Sequence, residues 1–416
     1  MNIRNINLAI FHWSEIINLG ILCLFYNVID HTFFYIYALI LLSVGTLKIF
    51  AGVKNISFFS DIESGMKKNS LIMNYSVFLA EFSLIFLKYT KINVTITVVL
   101  TAVLIFAMYA YLFVIRSDKD IILLLLVLSV IALMVMIPLN VFSEKKLFFN
   151  IATELIKLSF VMGLIFLFRF RESYLIGLVI LGAACILLLI NRELGSGFVL
   201  LFGYDIFCLS SKEKKVRKTA LIITVITVFM WLAVFLTPLY DVFYNMVTHI
   251  FSWNQDICDQ IHTAMQRMFF HYSATDQLPL VHSLINGRNI ITKLTCTFSP
   301  SEFTEIIKYE TGSTTSSADY CYDLILFYLG PITGILLAVS SFIVYLNGTV
   351  RSFHNKYSII PIVLFSQTFI HVFGNIMIFP FTGIPYPFLS FGNANLIINF
   401  IMVVIFSEAE LKGDIE

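Results

Sequence analysis

The chain has 416 residues, of which 59% are hydrophobic and 13% are charged. Typical soluble domains are roughly 45–50% apolar and about 25% charged, so the composition excludes an ordinary soluble globular domain. The formal net charge of +1 comes from 27 basic and 26 acidic side chains and gives no basis for nucleic-acid binding. Apolar runs of about 18 residues or more recur along the chain and predict an all-α polytopic membrane protein.

About twelve transmembrane helices are predicted from these runs, and the first is expected to be a retained span rather than a signal peptide. The run at 197–210 is short and contains Asp205. One long polar segment, at about 240–320, separates the ninth span from the tenth. In chain order the predicted spans cover residues 8–27, 32–52, 71–89, 92–115, 121–142, 148–168, 174–190, 197–210, 219–239, 321–346, 357–378 and 386–407.

The distribution of Lys and Arg predicts that both termini are cytoplasmic. Most of the 27 basic residues fall at the inner ends of the spans under this orientation, most densely in KEKKVRK at 212–218. An excess of basic residues on the cytoplasmic side is the usual determinant of topology. The long segment then becomes an extracytoplasmic loop. Glu154, Glu193, Asp319 and the Pro-rich stretch at 380–392 all fall on the outer side, which predicts one outward-facing cavity.

Glu154 and Lys157 are three residues apart and share one face of the sixth span. Charged side chains inside an apolar helix are costly, so they should face the helix bundle and pair with each other or with further polar groups. A purely structural ion pair is the alternative. Glu193 follows the seventh span, where it is either part of the cavity or part of a capped interfacial turn.

Asp319 lies at the entrance of the tenth span. It is read either as a helix-capping acid or as a general base whose pKa is raised by partial desolvation beside Tyr320 and Tyr322. The histidines of the long loop show no metal-ligand rhythm. A disulfide between Cys258 and Cys296 stays open.

The stretch PFTGIPYPFLSFG at 380–392 contains three prolines and two glycines between apolar runs. Proline lacks a backbone donor and has a fixed φ, so the stretch cannot be regular helix throughout. Irregular backbone beside a membrane requires protein or water to satisfy its polar groups. The stretch is therefore interpreted as a broken re-entrant turn that lines a cavity, with an ordinary Pro-rich loop as the alternative.

Four motifs in this chain resemble those of the SEDS family, the family of RodA and FtsW, and occur in its order. FTGIPYPFLSFG at 381–392 resembles the signature P-V-T-G-I-P-L-P-F, then Ile or Val, then S-Y-G-G. ATELIK at 152–157 resembles P-S-E-x-x-K, and ELGSG at 193–197 resembles D-L-G-T-A. ADYCY at 318–322, followed by Leu-Gly at 329–330, resembles T-D-F-I-F followed by E-E-L-G.

The resemblance places the SEDS-like core at residues 148–416, after N-terminal transmembrane helices at 1–147. The family usually has ten spans, so the twelve predicted here include two extra N-terminal spans. The resemblance implies a bacterial cytoplasmic-membrane glycosyltransferase that polymerises lipid II into peptidoglycan together with a class B penicillin-binding protein. Asp319 matches the family's essential loop aspartate, Glu154 and Lys157 match its paired cavity residues, and a divalent cation, Mg²⁺ or Mn²⁺, would assist pyrophosphate departure. The other matched cavity residues are Glu193, Thr382, Gly383, Pro385 and Ser390.

Departures from the family pattern keep other functions open. Phe327 and Tyr328 stand where the family has an acidic pair, Asn393 replaces a Gly, and the Gly-rich loop segment is missing. A non-catalytic scaffold of the cell-envelope machinery is one alternative. A flippase or transporter of a lipid-linked substrate, or an O-antigen-type polymerase or ligase, is another.

Overall fold

The structure is a computed structural model whose regular elements are all helices, with no strand in its described part. Twelve α-helices have described bounds: α1 Ile3–Leu24, α2 His31–Lys54, α3 Leu71–Tyr89, α4 Thr95–Ala110, α5 Ile121–Phe142, α6 Phe149–Leu167, α7 Tyr174–Ile190, α8 Gly195–Leu209, α9 Lys214–Leu236, α10 Cys321–Arg351, α11 Ile359–Asn375 and α12 Asn393–Lys412. The residues that the structure describes are 3–26, 29–54, 71–89, 95–110, 121–142, 149–168, 174–191, 193, 195–236, 242, 245, 246, 249, 320–376, 378, 379, 383–390, 392–412, 414 and 415.

Each predicted span overlaps one of these helices, because a long apolar run can satisfy its backbone polar groups only as a helix when water is absent. Six of the helices in the described part are long and apolar enough to cross a membrane. The chain is thus a helical membrane protein. The count of twelve spans stays a prediction, and the long loop lies almost wholly outside the described residues.

The chain divides into two compact units that interleave along the sequence. The first comprises Met1–Lys119, Asn289–Ser340 and Pro385–Glu416. Within it α3 is the central helix, with 89% of its apolar window buried. It packs against α1, α4 and α12, and α2 packs against α1. The expected division at residue 147 rests on the family resemblance rather than on packing, and it stays a prediction.

The second unit comprises Asp120–Arg288 and Ser341–Ile384. Its central helix is α11, which packs mainly on α8 and also touches α6. The candidate span that contains α11 has 83% of its window buried. Helix α6 packs on α5 and α7, and α9 packs on α8. A short 3-10 turn at Lys356–Ser358 leads into α11.

Helix α12 begins later than the sequence predicts. The expected span starts at residue 386, but residues 387–389 form a turn, residue 390 a bend, and the helix starts at Asn393. Phe388 has a φ of 61°, in the left-handed region that continues no α-helix. The stretch has the apolar composition of a membrane span. Pro387 and the backbone at Phe388 nevertheless exclude a regular helix there.

Helix α10 contains a break that the span prediction does not include. Gly330 has φ 82° and ψ 164°, and Pro331 follows it. This conformation is open almost only to glycine, and proline cannot donate to the preceding turn. The break lies in the first unit and separates a short initial piece of α10 from its longer remainder.

Candidate functional site

The charged pair predicted on the sixth span is formed in the second unit. Lys157 Nζ lies 2.5 Å from Glu154 Oε2, and both side chains are buried. Lys157 also donates to Gln367 Oε1 on α11 at 3.1 Å. The expected pairing with each other or with further polar groups is therefore confirmed, and both kinds of contact are present. The three side chains form a buried group that joins α6 to α11, which we call the lysine cluster.

The turn after α7 lies beside the same part of α6. Asn191 Nδ2 donates to Thr153 Oγ1 at 2.8 Å, and Thr153 is the residue before Glu154. The backbone N–H of Glu193 donates to the Leu188 carbonyl at 2.9 Å, which closes the end of α7. Glu193 is half-buried. Its backbone therefore fits the interpretation of a capped interfacial turn. Asn191, two residues earlier in the same turn, contacts α6.

Helix α11 presents polar side chains at four-residue spacing, which places Gln367, His371 and Asn375 along one face. All three are buried, His371 at 2% exposure. His371 Nδ1 forms a short hydrogen bond with the Ile384 carbonyl, and Asn375 Nδ2 donates to the His371 carbonyl at 2.9 Å. The motif reading did not select Gln367 or His371. Their spacing within an apolar run was the available signal.

The Pro-rich stretch enters its turn through Gly383, whose φ is 67°. This left-handed backbone favours glycine and explains the residue at that position. With Ile384, Gly383 belongs to the second unit, and the boundary between the units falls between Ile384 and Pro385. Thr382 lies outside the described residues. The expected break in the helix is confirmed, and whether the segment lines a cavity stays a prediction.

The remainder of the segment is held within the first unit. Ser390 Oγ accepts a hydrogen bond from the Tyr386 N–H at 2.7 Å, which closes a compact turn. The Leu389 carbonyl accepts from Ser83 Oγ on α3 at 2.8 Å and from Cys321 Sγ on α10 at 3.5 Å. Side chains thus supply the donors that a regular helix would supply from its backbone. Ser390, selected from the sequence, acts inside the turn.

Asp319, the expected general base, lies outside the described residues. Asp323, in the first turn of α10, is fully buried. Neither of its carboxylate oxygens has a hydrogen-bond partner within the described ranges. Tyr328, which stands where the family has an acid, is also buried, at 1% exposure. Cys258 and Cys296 fall outside the described part, so their pairing stays open.

A second buried polar cluster lies in the N-terminal helices of the first unit, and the sequence reasoning did not select it. Asn18 Nδ2 on α1 donates to Glu81 Oε2 on α3 at 2.9 Å. Glu15, at 1% exposure, accepts from Ser14 Oγ at 3.0 Å. Tyr37 on α2 donates to the Glu81 carbonyl at 3.2 Å. Glu15 and Glu81 lie inside apolar runs of the sequence. Charged residues are rare within membrane spans, so these two carboxylates could have indicated the cluster.

The expected divalent cation does not find a preformed site in the described part. No group of three or more His, Cys, Asp or Glu side chains placed to hold a metal ion occurs among the described residues. Three or more such ligands are usual for a protein-held ion.

No protein-family model, curated protein or solved structure matches the chain.

Proposed function

We propose that the chain is a membrane glycosyltransferase of the SEDS type, which polymerises a lipid II-type undecaprenyl-pyrophosphate disaccharide into glycan strands. It would work in the bacterial cytoplasmic membrane, with both termini inside, together with a class B penicillin-binding protein in cell-wall synthesis. The ordered resemblance of four motifs motivates the proposal. The observation that carries it is the buried lysine cluster on α6 and α11, because α11 also holds the start of the broken segment.

The proposed reaction is a single displacement at the anomeric carbon. The Asp319 carboxylate takes the proton of the acceptor hydroxyl, and the resulting oxygen attacks the anomeric carbon of the donor sugar. The bond from that carbon to the pyrophosphate oxygen breaks, and the lipid pyrophosphate leaves with the electron pair. One displacement inverts the configuration at the anomeric carbon. A divalent cation would accompany the pyrophosphate as part of the substrate.

The lysine cluster supplies buried charged and amide groups inside the helix bundle of the second unit. A sugar diphosphate can leave water at membrane depth only where protein groups replace its hydration. Glu154 compensates the charge of Lys157, and Gln367 fixes the direction of the ammonium group. In the proposal these residues bind and orient the head group, and Gly383 sets the backbone course of the broken segment within the same unit.

The test is polymerisation of purified lipid II by the full chain with a bound class B penicillin-binding protein and Mg²⁺ or Mn²⁺, with glycan strands resolved on a gel. Asp319→Asn should abolish the strands. Asp276→Asn is the matched control, since it changes another aspartate of the same long loop and should leave the rate unchanged. Size-exclusion profiles verify that each variant is folded and bound to its partner.

Full activity in Asp319→Asn would remove this residue from the mechanism. Absence of product from the wild type, with the partner bound, would favour the scaffold. That alternative is supported by Phe327 and Tyr328, which replace two acids of the family pattern.

The second break, at Gly330 in α10, favours one further candidate, a transporter of a lipid-linked substrate. Transporters characteristically use pairs of broken helices, and the first unit contains both this break and the greater part of the Pro-rich segment. A proteoliposome assay that follows fluorescent lipid II between leaflets would detect this activity. Movement without polymerisation would support the transporter.

A further inference from the structure

His371 is buried on α11 and is absent from the family motifs that led to the proposed site. One helical turn before it, Gln367 accepts the hydrogen bond from Lys157. His371 itself contacts the Ile384 carbonyl through Nδ1. All of these residues belong to the second unit. The side chain therefore lies between the lysine cluster and the first residues of the broken segment.

The chemistry of the Ile384 carbonyl explains why a donor is needed there. Gly383 has a left-handed backbone, and Pro385 has no N–H, so this part of the chain forms no regular helical ladder. A backbone carbonyl buried at membrane depth without a donor is costly, because no water replaces the missing bond. The His371 ring supplies that donor from a neighbouring helix.

We propose that His371 is a positioning residue, which holds the Ile384 carbonyl and so fixes where the broken segment starts relative to the lysine cluster. A carbonyl oxygen only accepts hydrogen bonds, so Nδ1 is the ring nitrogen that carries the proton. The tautomer is thus determined by the contact. His371 acts through Gly383 and Ile384 and does not itself touch substrate.

Three variants test this role in the full chain. His371→Leu keeps a side chain of similar bulk and removes the donor. His371→Asn places an amide N–H at the same bond distance along the side chain and restores it. Thr368→Val is the matched control, because Thr368 is buried on the same helix and its hydroxyl donates only to the Leu364 carbonyl of that helix at 2.9 Å.

The first readout is amide hydrogen exchange, followed by mass spectrometry, of the peptide that contains residues 383–386. His371→Leu should accelerate exchange there at least tenfold, while His371→Asn and Thr368→Val should exchange like the wild type. Equal protection in His371→Leu and the wild type would overturn the proposal. Acceleration in Thr368→Val would also overturn it, since any change on α11 would then loosen the segment.

The second readout is glycan polymerisation, and it alone rests on the proposed function. His371→Leu should lower the rate at least tenfold, and His371→Asn should recover most of it. If exchange accelerates but polymerisation is unchanged, His371 holds the segment, but the segment's position does not affect activity. The positioning role of His371 in polymerisation is then refuted. If the wild type makes no glycan, the proposed function fails, while the exchange result still decides the role of His371 in holding the segment.

Discussion

The packing of α7 against α8 leads to a sharp prediction at Gly177. A Cβ added to Gly177 would lie 2.6 Å from Cε2 and 2.7 Å from Cζ of Tyr204, and closer still to its hydroxyl. Ordinary contacts of this kind are 3.4–4 Å. Tyr204 is fully buried, and its hydroxyl donates to the Tyr174 carbonyl at 2.6 Å. Gly177→Ala must therefore displace the ring by about 1 Å and strain that hydrogen bond.

The expected loss of stability combines three contributions. Overpacking a close-packed interior costs about 1–3 kcal/mol. Weakening the buried hydrogen bond adds about 1 kcal/mol. Replacing glycine by alanine inside a helix stabilises the folded state by about 0.5–1 kcal/mol, which offsets part of this loss. The net effect is a destabilisation of about 1–3 kcal/mol, which should lower the apparent Tm by several degrees.

Gly182→Ala is the matched control, since it makes the same chemical change on the same helix, and among the described residues no atom beyond the helix's own nearby backbone and chain neighbours lies within 4 Å of the added Cβ. It should leave the Tm unchanged or raise it. The measurement is thermal unfolding in detergent at one fixed heating rate. In a Tyr204→Leu background the ring is gone, and Gly177→Ala should then lose most of its cost. If Gly177→Ala raises the Tm as much as Gly182→Ala does, the close contact and the reasoning built on it are refuted.

Three further predictions concern polar groups. Lys157→Met alone should lower the free energy of unfolding by about 3–5 kcal/mol, because it leaves Glu154 buried and charged. The double variant with Glu154→Leu should regain most of that stability and still make no glycan. Thermal unfolding measures the first effect, and polymerisation measures the second. Ser390→Ala should cost about 1–2 kcal/mol by removing the acceptor inside the turn, and an unchanged Tm would contradict this. The hydrogen bond from the Thr32 N–H holds the pKa of Asp30 below its usual value. Asp30→Ala should therefore be less stable than the wild type at neutral pH, and this difference should vanish as the pH falls through the depressed pKa; a constant difference down to that pH would contradict the assignment.

The helices were predictable because long apolar runs leave the backbone few alternatives in a membrane. Their irregular ends were harder to place. Residues 386–392 are apolar enough to extend a span by composition. Pro387 argues against a helix there, and the backbone at Phe388 shows that the helix starts later. The break at Gly330 had a local signal in the Gly-Pro pair. That signal was masked by apolar residues on both sides.

Within the candidate site, short-range relationships were predictable and long-range ones were not. Glu154 and Lys157 meet because a three-residue spacing determines it. Gln367 lies 210 positions from Lys157, and no local pattern specifies that contact. The contact between His371 and Ile384 depends on how the chain turns between them. The spacing of polar residues on α11 was visible in the sequence, but the residues that they contact were not predictable from it.

The break at Gly330 also determines which part of α10 the bilayer has to accommodate. Residues Pro331 to Arg351 alone form about 31 Å of helix at about 1.5 Å per residue, close to the ~30 Å hydrocarbon thickness. The initial piece, which contains Asp323, is therefore not required for crossing. Protein packing rather than lipid excludes water from that carboxylate.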